Sequence, residues 1–203
     1  ANPDVTSKGA LFRAAWKDLY GGIIEYRPNS NVVEVDASGM AVMTDFETIK
    51  GDVLNVVPPQ KAGLIAERAG LVNANNRWCG TDWITGESLA QKNIHVLGDA
   101  TLAAPAMPKS ASMANQHAKV CAAAVIALIK GQPVNTSPML MNTCYSFVSD
   151  KEVIHVTSVH EYSVAEKTMT VVKGSSGVSD KASELEGVYA WGWARNIWAD
   201  TLA

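Results

Sequence analysis

One segment of the sequence, residues 93–131, restricts the folds open to the chain more than any other. Asn93–Leu97 (NIHVL) has the composition of a strand, and Gly98–Ala100 (GDA) follows it directly. After a short loop of alanine, proline and methionine, an apolar face repeats with helical period over Lys109–Lys130, and Gly131 ends the helix. A strand, a glycine turn and a long helix in this order predict a unit of an α/β fold.

The junction between this strand and this helix is the candidate site. An aspartate at the carboxyl end of a parallel strand, here Asp99, can accept a hydrogen bond from a sugar or ribityl hydroxyl. The free N–H groups at a helix start attract a phosphate or an electron-rich ring. The alternative is an ordinary turn at the end of a strand, with no ligand.

Before Pro58 the pattern predicts one helix and three strands. The helix is expected around Gly9–Leu19. Asn31–Asp36 and Met40–Phe46 form a predicted hairpin, because a serine and glycine turn joins them. Asp52–Val57 (DVLNVV) has the nearly continuous apolar composition of a strand buried on both faces.

The rest of the chain contains a second set of predicted elements. A short helix is expected over Lys61–Ala69, with Gly70 just after its last residue. Pro138–Val148 is predicted to be a loop leading to a strand, and Val153–Tyr162 and Thr168–Lys173 alternate like an antiparallel pair. Changes in composition divide the chain into three predicted domains, 1–57, 58–133 and 134–203.

Charge and hydropathy exclude two classes of partner. The formal net charge is −3, with no basic run, so nucleic acid is not expected as a partner. The most apolar window, Val120–Ile129, is far shorter than the roughly 20 residues that cross a bilayer. We therefore expect a soluble chain with no membrane span and no retained signal segment.

The cysteines and histidines do not have the spacing of a metal site. Cys79, Cys121 and Cys144 are too far apart for a CxxC motif, and Cys121 is predicted to be a small buried residue on the long helix. Cys79 and Cys144 are expected in loops and are the better candidates for chemistry. His95 is predicted in a buried strand and His117 on the outward face of the helix, so no metal site is predicted.

Several motifs, taken in chain order, carry a resemblance to a known family. Thr85–Ser88 with Ile94–Asp99 resembles the second flavin motif of flavoproteins that have two dinucleotide-binding domains. Five further segments extend the resemblance: DVLNVVPPQKAG at 52–63, HVLGDA at 95–100, MPKS at 107–110, NTCYS at 142–146 and WARNI at 193–197. Together they resemble the flavoprotein subunit of flavocytochrome c sulfide dehydrogenase.

The resemblance implies a fold and an activity. The implied fold is α/β, glutathione-reductase-like: parts of two Rossmann-like dinucleotide-binding domains, followed by a C-terminal α+β interface domain with an antiparallel sheet. The implied activity is the oxidation of sulfide to sulfur or polysulfide at FAD. Electrons would pass to a c-type cytochrome subunit in the periplasm, and haem would be present only on that partner.

The resemblance also assigns roles to individual residues. Asp99 is similar to the aspartate that binds the ribityl chain, and the backbone at Lys109 and Ser110 would face the pyrimidine side of the flavin ring. The implied cofactor-binding residues are Gly98, Asp99, Ala100, Met107, Pro108, Lys109 and Ser110.

Two residues are implied in electron movement. Cys144 is similar to the family's second redox-active cysteine, which forms a disulfide or polysulfide above the flavin. Trp193 is similar to a tryptophan beside the flavin on the cytochrome side, with a role in electron transfer. The alternatives are a buried thiol for Cys144 and core packing for Trp193.

The chain departs from the family pattern in two respects. Ala111, Ser112 and Met113 stand where the family usually has a glycine and an aromatic residue. The resemblance covers only the C-terminal half of the subunit, so the glycine-rich pyrophosphate motif, the partner redox cysteine and the FAD-attaching cysteine are expected on an N-terminal half. We therefore expect an enzyme part that is inactive alone. The alternative is a truncated, flavin-free fragment that binds only a periplasmic partner protein.

Overall fold

Helices and antiparallel sheets alternate along the chain in the computed structural model, which describes residues 4–202. The chain divides into two compact units, Ala1–Gln60 and Lys61–Ala203. Residues 1–3 and 203, which belong to the first and third predicted domains, lie outside the described residues. The division into three domains stays a prediction.

The first unit contains one helix and a three-stranded antiparallel sheet in which neighbouring strands follow one another along the chain. Its elements are α1 (Gly9–Tyr20), β1 (Val32–Asp36), β2 (Ala41–Thr44) and β3 (Thr48–Lys50). The turn between β1 and β2 is held by Asp36, whose Oδ1 accepts hydrogen bonds from the Gly39 amide at 2.8 Å and the Ser38 hydroxyl at 2.7 Å. The predicted helix and hairpin are confirmed.

The buried strand predicted at Asp52–Val57 is wrong. This segment forms no strand, and Val53 and Val57 are 85% and 76% exposed. An apolar run becomes a buried strand only when neighbouring strands pair with both of its edges, and in the described part of the chain it has no such neighbours. The short strand β3 pairs with β2 instead.

The second unit contains three α-helices, a two-stranded antiparallel sheet (β4 and β5) and a four-stranded antiparallel sheet (β6 to β9). Its elements are α2 (Leu64–Arg68), β4 (Val72–Ala74), β5 (Trp78–Cys79), α3 (Ala111–Ile129), β6 (Met139–Phe147), β7 (Val153–Ser163), β8 (Thr168–Val171), β9 (Gly177–Val178) and α4 (Glu184–Leu202). In the larger sheet, β7 pairs with β6 along one edge and with β8 and β9 along the other. The predicted antiparallel pair, now β7 and β8, is confirmed.

Asn93–Leu97 does not form the predicted strand. His95 makes only an isolated antiparallel bridge with Glu87, and Gly98–Ala100 is a single 3₁₀ turn. The segment is held instead by the preceding loop, since the Ser88 amide donates to the Ile94 carbonyl and the Val96 amide donates to the Gly86 carbonyl, each at 2.8 Å. Asp99 therefore follows a loop rather than a parallel strand.

The segment 138–148 is a strand rather than a loop. β6 pairs with β7 over its whole length, with Cys144 opposite Val156. Buried Leu140 and Asn142 alternate with exposed Met139 and Met141. The polar residues of NTCYS obscured this alternation because a polar side chain is buried on the inner face. Cys79 also lies in a strand, β5, and not in a loop.

The long predicted helix is confirmed as α3, and Gly131 follows its end as predicted. Ser110 is the N-cap residue, and its hydroxyl accepts a hydrogen bond from the Met113 amide at 3.1 Å. Gly131 follows the helix with φ of 63°, the left-handed conformation that glycine adopts without strain.

The helices and antiparallel sheets of the two units confirm the predicted mixed α/β fold with a C-terminal antiparallel sheet. Among residues 4–202, no helix is long and apolar enough to cross a membrane.

One face of the larger sheet packs on the first turns of α3 and on the loop before it. The buried residues of this core are Trp83, Ala104, Met107, Met113, Leu140 and Met169. Tyr162 and Val120 pack against the same cluster. The core therefore fixes the N-terminus of α3 against the sheet.

Helix α4 approaches the β6–β7 turn closely at one glycine. A Cβ at Gly187 would lie 2.3 Å from the carbonyl oxygen of Lys151, a backbone atom. A Cβ at Gly192, in the same helix, would meet nothing within 4 Å. There is therefore no room for a side chain at Gly187, whereas Gly192 has room for one.

We expect Gly187→Ala to lower the free energy of unfolding by about 2 kcal/mol, because the added methyl group overlaps the Lys151 carbonyl. Gly192→Ala is the matched control and should raise that free energy by roughly 0.5–1 kcal/mol through helix propensity. Urea denaturation followed by circular dichroism measures both. Equal effects of the two substitutions would contradict the close approach.

Candidate functional site

A small concavity lies where the 3₁₀ turn meets the N-terminus of α3. Five of the seven predicted cofactor-binding residues line it, namely Gly98, Asp99, Met107, Pro108 and Lys109. Its volume is about 10 Å³, room for one water-sized group, so it can seat a hydroxyl or the edge of a ring but not a whole ring system. Ala100 and Ser110 flank it without lining it.

The turn can approach α3 only because residue 98 is glycine. Gly98 has φ of 65°, and a Cβ there would lie 3.1 Å from the Cβ of Ala114. The Gly98 amide also donates a hydrogen bond to Nδ1 of His117 at 3.3 Å. Asp99, the next residue, is exposed at the rim, where its carboxylate can accept hydrogen bonds from hydroxyl groups.

Lys109 ties the loop before α3 to this turn. Its Nζ donates to the carbonyl oxygen of Asp99 at 2.8 Å and to that of Thr101, and it lies 3.8 Å from the ring centroid of Trp78. Burial lowers the pKa of the Lys109 ammonium group, while the Asp99 carboxylate and the Cys79 thiol act in the opposite direction. The side chain thus holds the main chain of the site in place.

A hydrogen-bonded row connects the N-cap of α3 to Cys144. The Ser110 hydroxyl donates to Oδ1 of Asn142 at 2.6 Å, and the Cys144 thiol donates to the same oxygen at 3.4 Å. Asn142 is only 2% exposed. The structure therefore brings Cys144 together with Ser110 through Asn142, a residue that the sequence reasoning missed. Asn142 and Cys144 are two positions apart, which places them on the same face of a strand, but this segment was predicted to be a loop.

Ser112 joins the first turn of α3 to the outer edge of β6. Its hydroxyl oxygen accepts from the Thr143 amide at 3.2 Å and donates to the Met141 carbonyl at 3.4 Å. These backbone groups lie on the edge of β6 that no strand covers in residues 4–202. The position that departs from the family's usual sequence therefore holds the helix to the strand.

Cys144 is the most accessible of the three cysteines. It is partly buried, whereas Cys79 is 0% exposed and Cys121 is 5% exposed. Burial raises the pKa of the Cys79 and Cys121 thiols, which disfavours their reactive thiolate forms. The prediction that Cys121 is a small buried residue of the helix is confirmed.

Trp193 lies on the other face of the sheet. It contacts Tyr145, with ring centroids 6.1 Å apart, and Tyr145 points away from the face that carries Cys144 because successive strand residues alternate. Tyr145 in turn contacts His155, whose Nδ1 lies 2.9 Å from a carboxylate oxygen of Glu186. The structure does not bring Trp193 together with the other predicted site residues.

His117 does not face outward, as the sequence pattern had predicted. It is 1% exposed, its ring stacks on Trp83 with centroids 5.1 Å apart, and it lines the concavity. Burial lowers its pKa to about 4. Since Nδ1 accepts from Gly98, the proton of the neutral ring is on Nε2, which has no hydrogen-bond partner among the described residues.

The other histidine of this region has an ordinary contact. His95 is partly exposed rather than buried, and its Nδ1 lies 3.0 Å from the carbonyl oxygen of Thr85. In the part of the chain that the structure describes, no three His, Cys, Asp or Glu side chains are grouped so that they could hold a metal ion.

Comparison with known families gives two matches. Residues 136–202 match a family described as flavocytochrome c sulphide dehydrogenase, flavin-binding. Residues 1–58 match one described as sulfide dehydrogenase [flavocytochrome c] flavoprotein chain, central. Cys144 and Trp193 lie within the first match, and the residues from Gly98 to Ser110 lie outside both.

The buried His117 predicts a pH dependence of stability. An unfolded histidine binds a proton near pH 6.5, but the folded one does so only near pH 4, so stability is full above pH 6.5 and falls as the pH drops from 6.5 to 4. Between pH 7.5 and pH 4.5 the wild type should lose about 2.5 kcal/mol of its free energy of unfolding through His117, and His117→Gln should not show this loss; urea unfolding at the two pH values measures it. Cys121→Ser, one turn further along α3, should keep the wild-type slope. An unchanged slope in His117→Gln would contradict the assignment.

Proposed function

We propose, since this chain belongs to the flavoprotein chains of flavocytochrome c sulphide dehydrogenase, that it supplies part of an FAD site at which sulfide is oxidised to sulfur or polysulfide. One observation carries the proposal. The thiol of Cys144 is hydrogen-bonded, through Asn142, to the N-cap residue of the helix whose start borders the concavity. Hydrogen bonds therefore connect a cysteine sulfur to a helix end that can bind an anion.

The residues around the concavity suit one edge of a flavin nucleotide. Asp99 would accept a hydrogen bond from a ribityl hydroxyl, and the N-terminus of α3 would stabilise negative charge on the ring. Gly98 keeps this edge open because it has no side chain. When bound, FAD supplies the acceptor for the two electrons that sulfide gives up. The concavity seats only one edge, and we propose that an N-terminal half of the same flavoprotein binds the rest of the nucleotide.

Cys144 would act as one member of a redox pair. In the proposed step, HS⁻ attacks one sulfur of a disulfide between Cys144 and a cysteine of that N-terminal half. A new S–S bond forms as a persulfide, and the other cysteine leaves as a thiolate, so sulfur, charge and electrons balance. Cys79 and Cys121 do not suit the partner role because both are buried.

The electron acceptor that we propose is a c-type cytochrome subunit in the periplasm, carrying the haem. The family description names a flavocytochrome, and α4 presents aromatic side chains that a protein partner could cover. Tyr189, Trp191 and Trp198 are 53%, 51% and 51% exposed. Trp193, on the same helix, contacts Tyr145 on the face of the sheet opposite Cys144, and we propose that it takes part in electron transfer to this partner.

The exposed aromatic residues of α4 also support a second function, in which the chain only docks a protein partner and holds no flavin. The two functions differ in one simple measurement. A flavin absorption band in the purified protein, with flavin released on denaturation, supports the enzyme part. A colourless preparation that still binds a cytochrome supports the docking function.

We expect Cys144→Ser, in the flavoprotein containing this chain, to reduce sulfide-dependent flavin reduction at least 100-fold, because the hydroxyl cannot form the disulfide. Stopped-flow absorbance of the flavin band measures this rate. Cys121→Ser is the matched control and should keep the wild-type rate. Equal rates in both variants, at equal flavin content, would refute the role of Cys144.

We expect Trp193→Leu to slow electron transfer to the cytochrome about tenfold in kcat, with little change in KM and with normal flavin reduction by sulfide. Trp198→Leu is the control on the same helix and should mainly raise KM for the cytochrome, because Trp198 is exposed for docking. Steady-state cytochrome reduction separates the two constants. A Trp193→Leu variant with the wild-type kcat would show that Trp193 only packs in the core and has no role in electron transfer.

A further inference from the structure

Asn142 occupies a position that a core residue of β6 would normally fill with an apolar side chain. It is 2% exposed, and its neighbour on the same strand face, Leu140, is 1% exposed. A buried carboxamide is costly unless it is hydrogen-bonded. Packing alone therefore does not explain why an asparagine, rather than an apolar residue, is buried at position 142.

The contacts of Asn142 point to that reason. Its side-chain oxygen, Oδ1, accepts two hydrogen bonds, one from the Ser110 hydroxyl at 2.6 Å and one from the Cys144 thiol at 3.4 Å. The main-chain carbonyl of Asn142 is held separately, by the Thr157 hydroxyl at 2.9 Å. The backbone is therefore fixed while the side chain faces both the sulfur and the helix cap.

A carboxamide has two ends of opposite hydrogen-bonding character. Its oxygen accepts from a neutral thiol, whereas its NH₂ group can donate to a thiolate, and a half-turn about the terminal side-chain bond exchanges the two. Asn142 can thus bind Cys144 in either charge state without moving the strand.

We propose that Asn142 is a positioning residue that follows the charge of Cys144, binding the thiol through Oδ1 and the thiolate through Nδ2. When the thiol gives its proton to solvent, the carboxamide turns and an N–H donates to the sulfur. The second N–H then donates to the Ser110 hydroxyl oxygen, which has a second lone pair besides the one that accepts from Met113.

Titratable side chains of the elements packed against β6 lie on both faces of the sheet. From β7, the titratable side chains on the same sheet face are His160 and Tyr162. His160 is buried, binds the Ser158 hydroxyl at 3.0 Å and has its pKa lowered by burial. His155 and Glu186 lie on the opposite face with Tyr145. The first turn of α3, Ala111–Ala114, has no charged side chain.

The consequence for the proposed function is a connection between sulfur and cofactor edge. Because Ser110 caps α3, the state of Cys144 is passed through Asn142 to the helix end that borders the concavity. This consequence rests on the proposed function, but the exchange itself does not require flavin. The experiments therefore use the chain without added cofactor.

The first experiment follows the Asn142 side-chain amide by nuclear magnetic resonance while the pH is raised. We expect its NH₂ resonances to shift with the same midpoint as the alkylation of Cys144 by iodoacetamide, resolved by peptide mass spectrometry. In Cys144→Ser, whose hydroxyl does not titrate, the shift should vanish. A wild-type amide that does not respond, or a response that persists in Cys144→Ser, overturns the proposal.

The second experiment removes the donor end of the carboxamide. Asn142→Asp can accept from the thiol but repels the thiolate, so the alkylation midpoint of Cys144 should rise by at least about one pH unit, a tenfold slower reaction at lower pH. Asn73→Asp is the matched control: Asn73 Oδ1 accepts from the Gly80 amide at 2.6 Å, and a carboxylate can do the same. Asn73→Asp should leave the midpoint unchanged. An unchanged midpoint in Asn142→Asp overturns the proposal, and if that variant does not fold, the amide titration of the wild type decides.

The two proposals fail in different ways. Loss of sulfide-dependent flavin reduction with an amide shift that tracks Cys144 would refute the sulfide chemistry and leave the role of Asn142 standing. Normal sulfide-dependent flavin reduction in the wild type, together with an Asn142 amide that does not respond to pH, would refute the role of Asn142 and leave the sulfide chemistry standing.

Discussion

The docking of the first turn of α3 onto the edge of β6 is the interaction on which the rest of the second unit depends. Two serines make it: Ser110 binds the side chain of Asn142, and Ser112 binds the backbone of β6. Ser110 bonds to the helix end and to the strand at once, and Ser112 bonds to the strand, so a shift of either element would break these hydrogen bonds. Hydrogen bonds to buried groups such as the Asn142 side chain are costly to leave unmade.

This docking explains why the candidate site is small but well defined. The core residues Met107, Met113 and Leu140 press the loop, the helix and the sheet together, and Gly98 lets the 3₁₀ turn come against Ala114. What remains is room for a hydroxyl or a ring edge beside an exposed carboxylate and a helix N-terminus. A rigid site of this size orients a group without enclosing it, which suits a share in a larger flavin site.

Local signals predicted part of this arrangement. The helix α3 and its closing glycine were predictable, because each depends on residues close to its own position in the chain. The hairpin of β1 and β2 was predictable for the same reason. Asp52–Val57 and Asn93–Leu97 were not, since a strand exists only where another segment pairs with it, and neither composition nor periodicity states which segment that is. His117 was misplaced because α3 packs against a glycine turn that is distant in sequence.

The sequence by itself determined the family, the helix ends and the residue types available for chemistry, since motifs and caps are read over a few consecutive positions. Only the tertiary structure decided that β6 is a strand, that Asn142 joins Ser110 to Cys144, and that Trp193 lies on the opposite face of the sheet from Cys144. The physical reason is that hydrogen bonds across 32 residues, as between Ser110 and Asn142, form only after the apolar core has brought helix and sheet together.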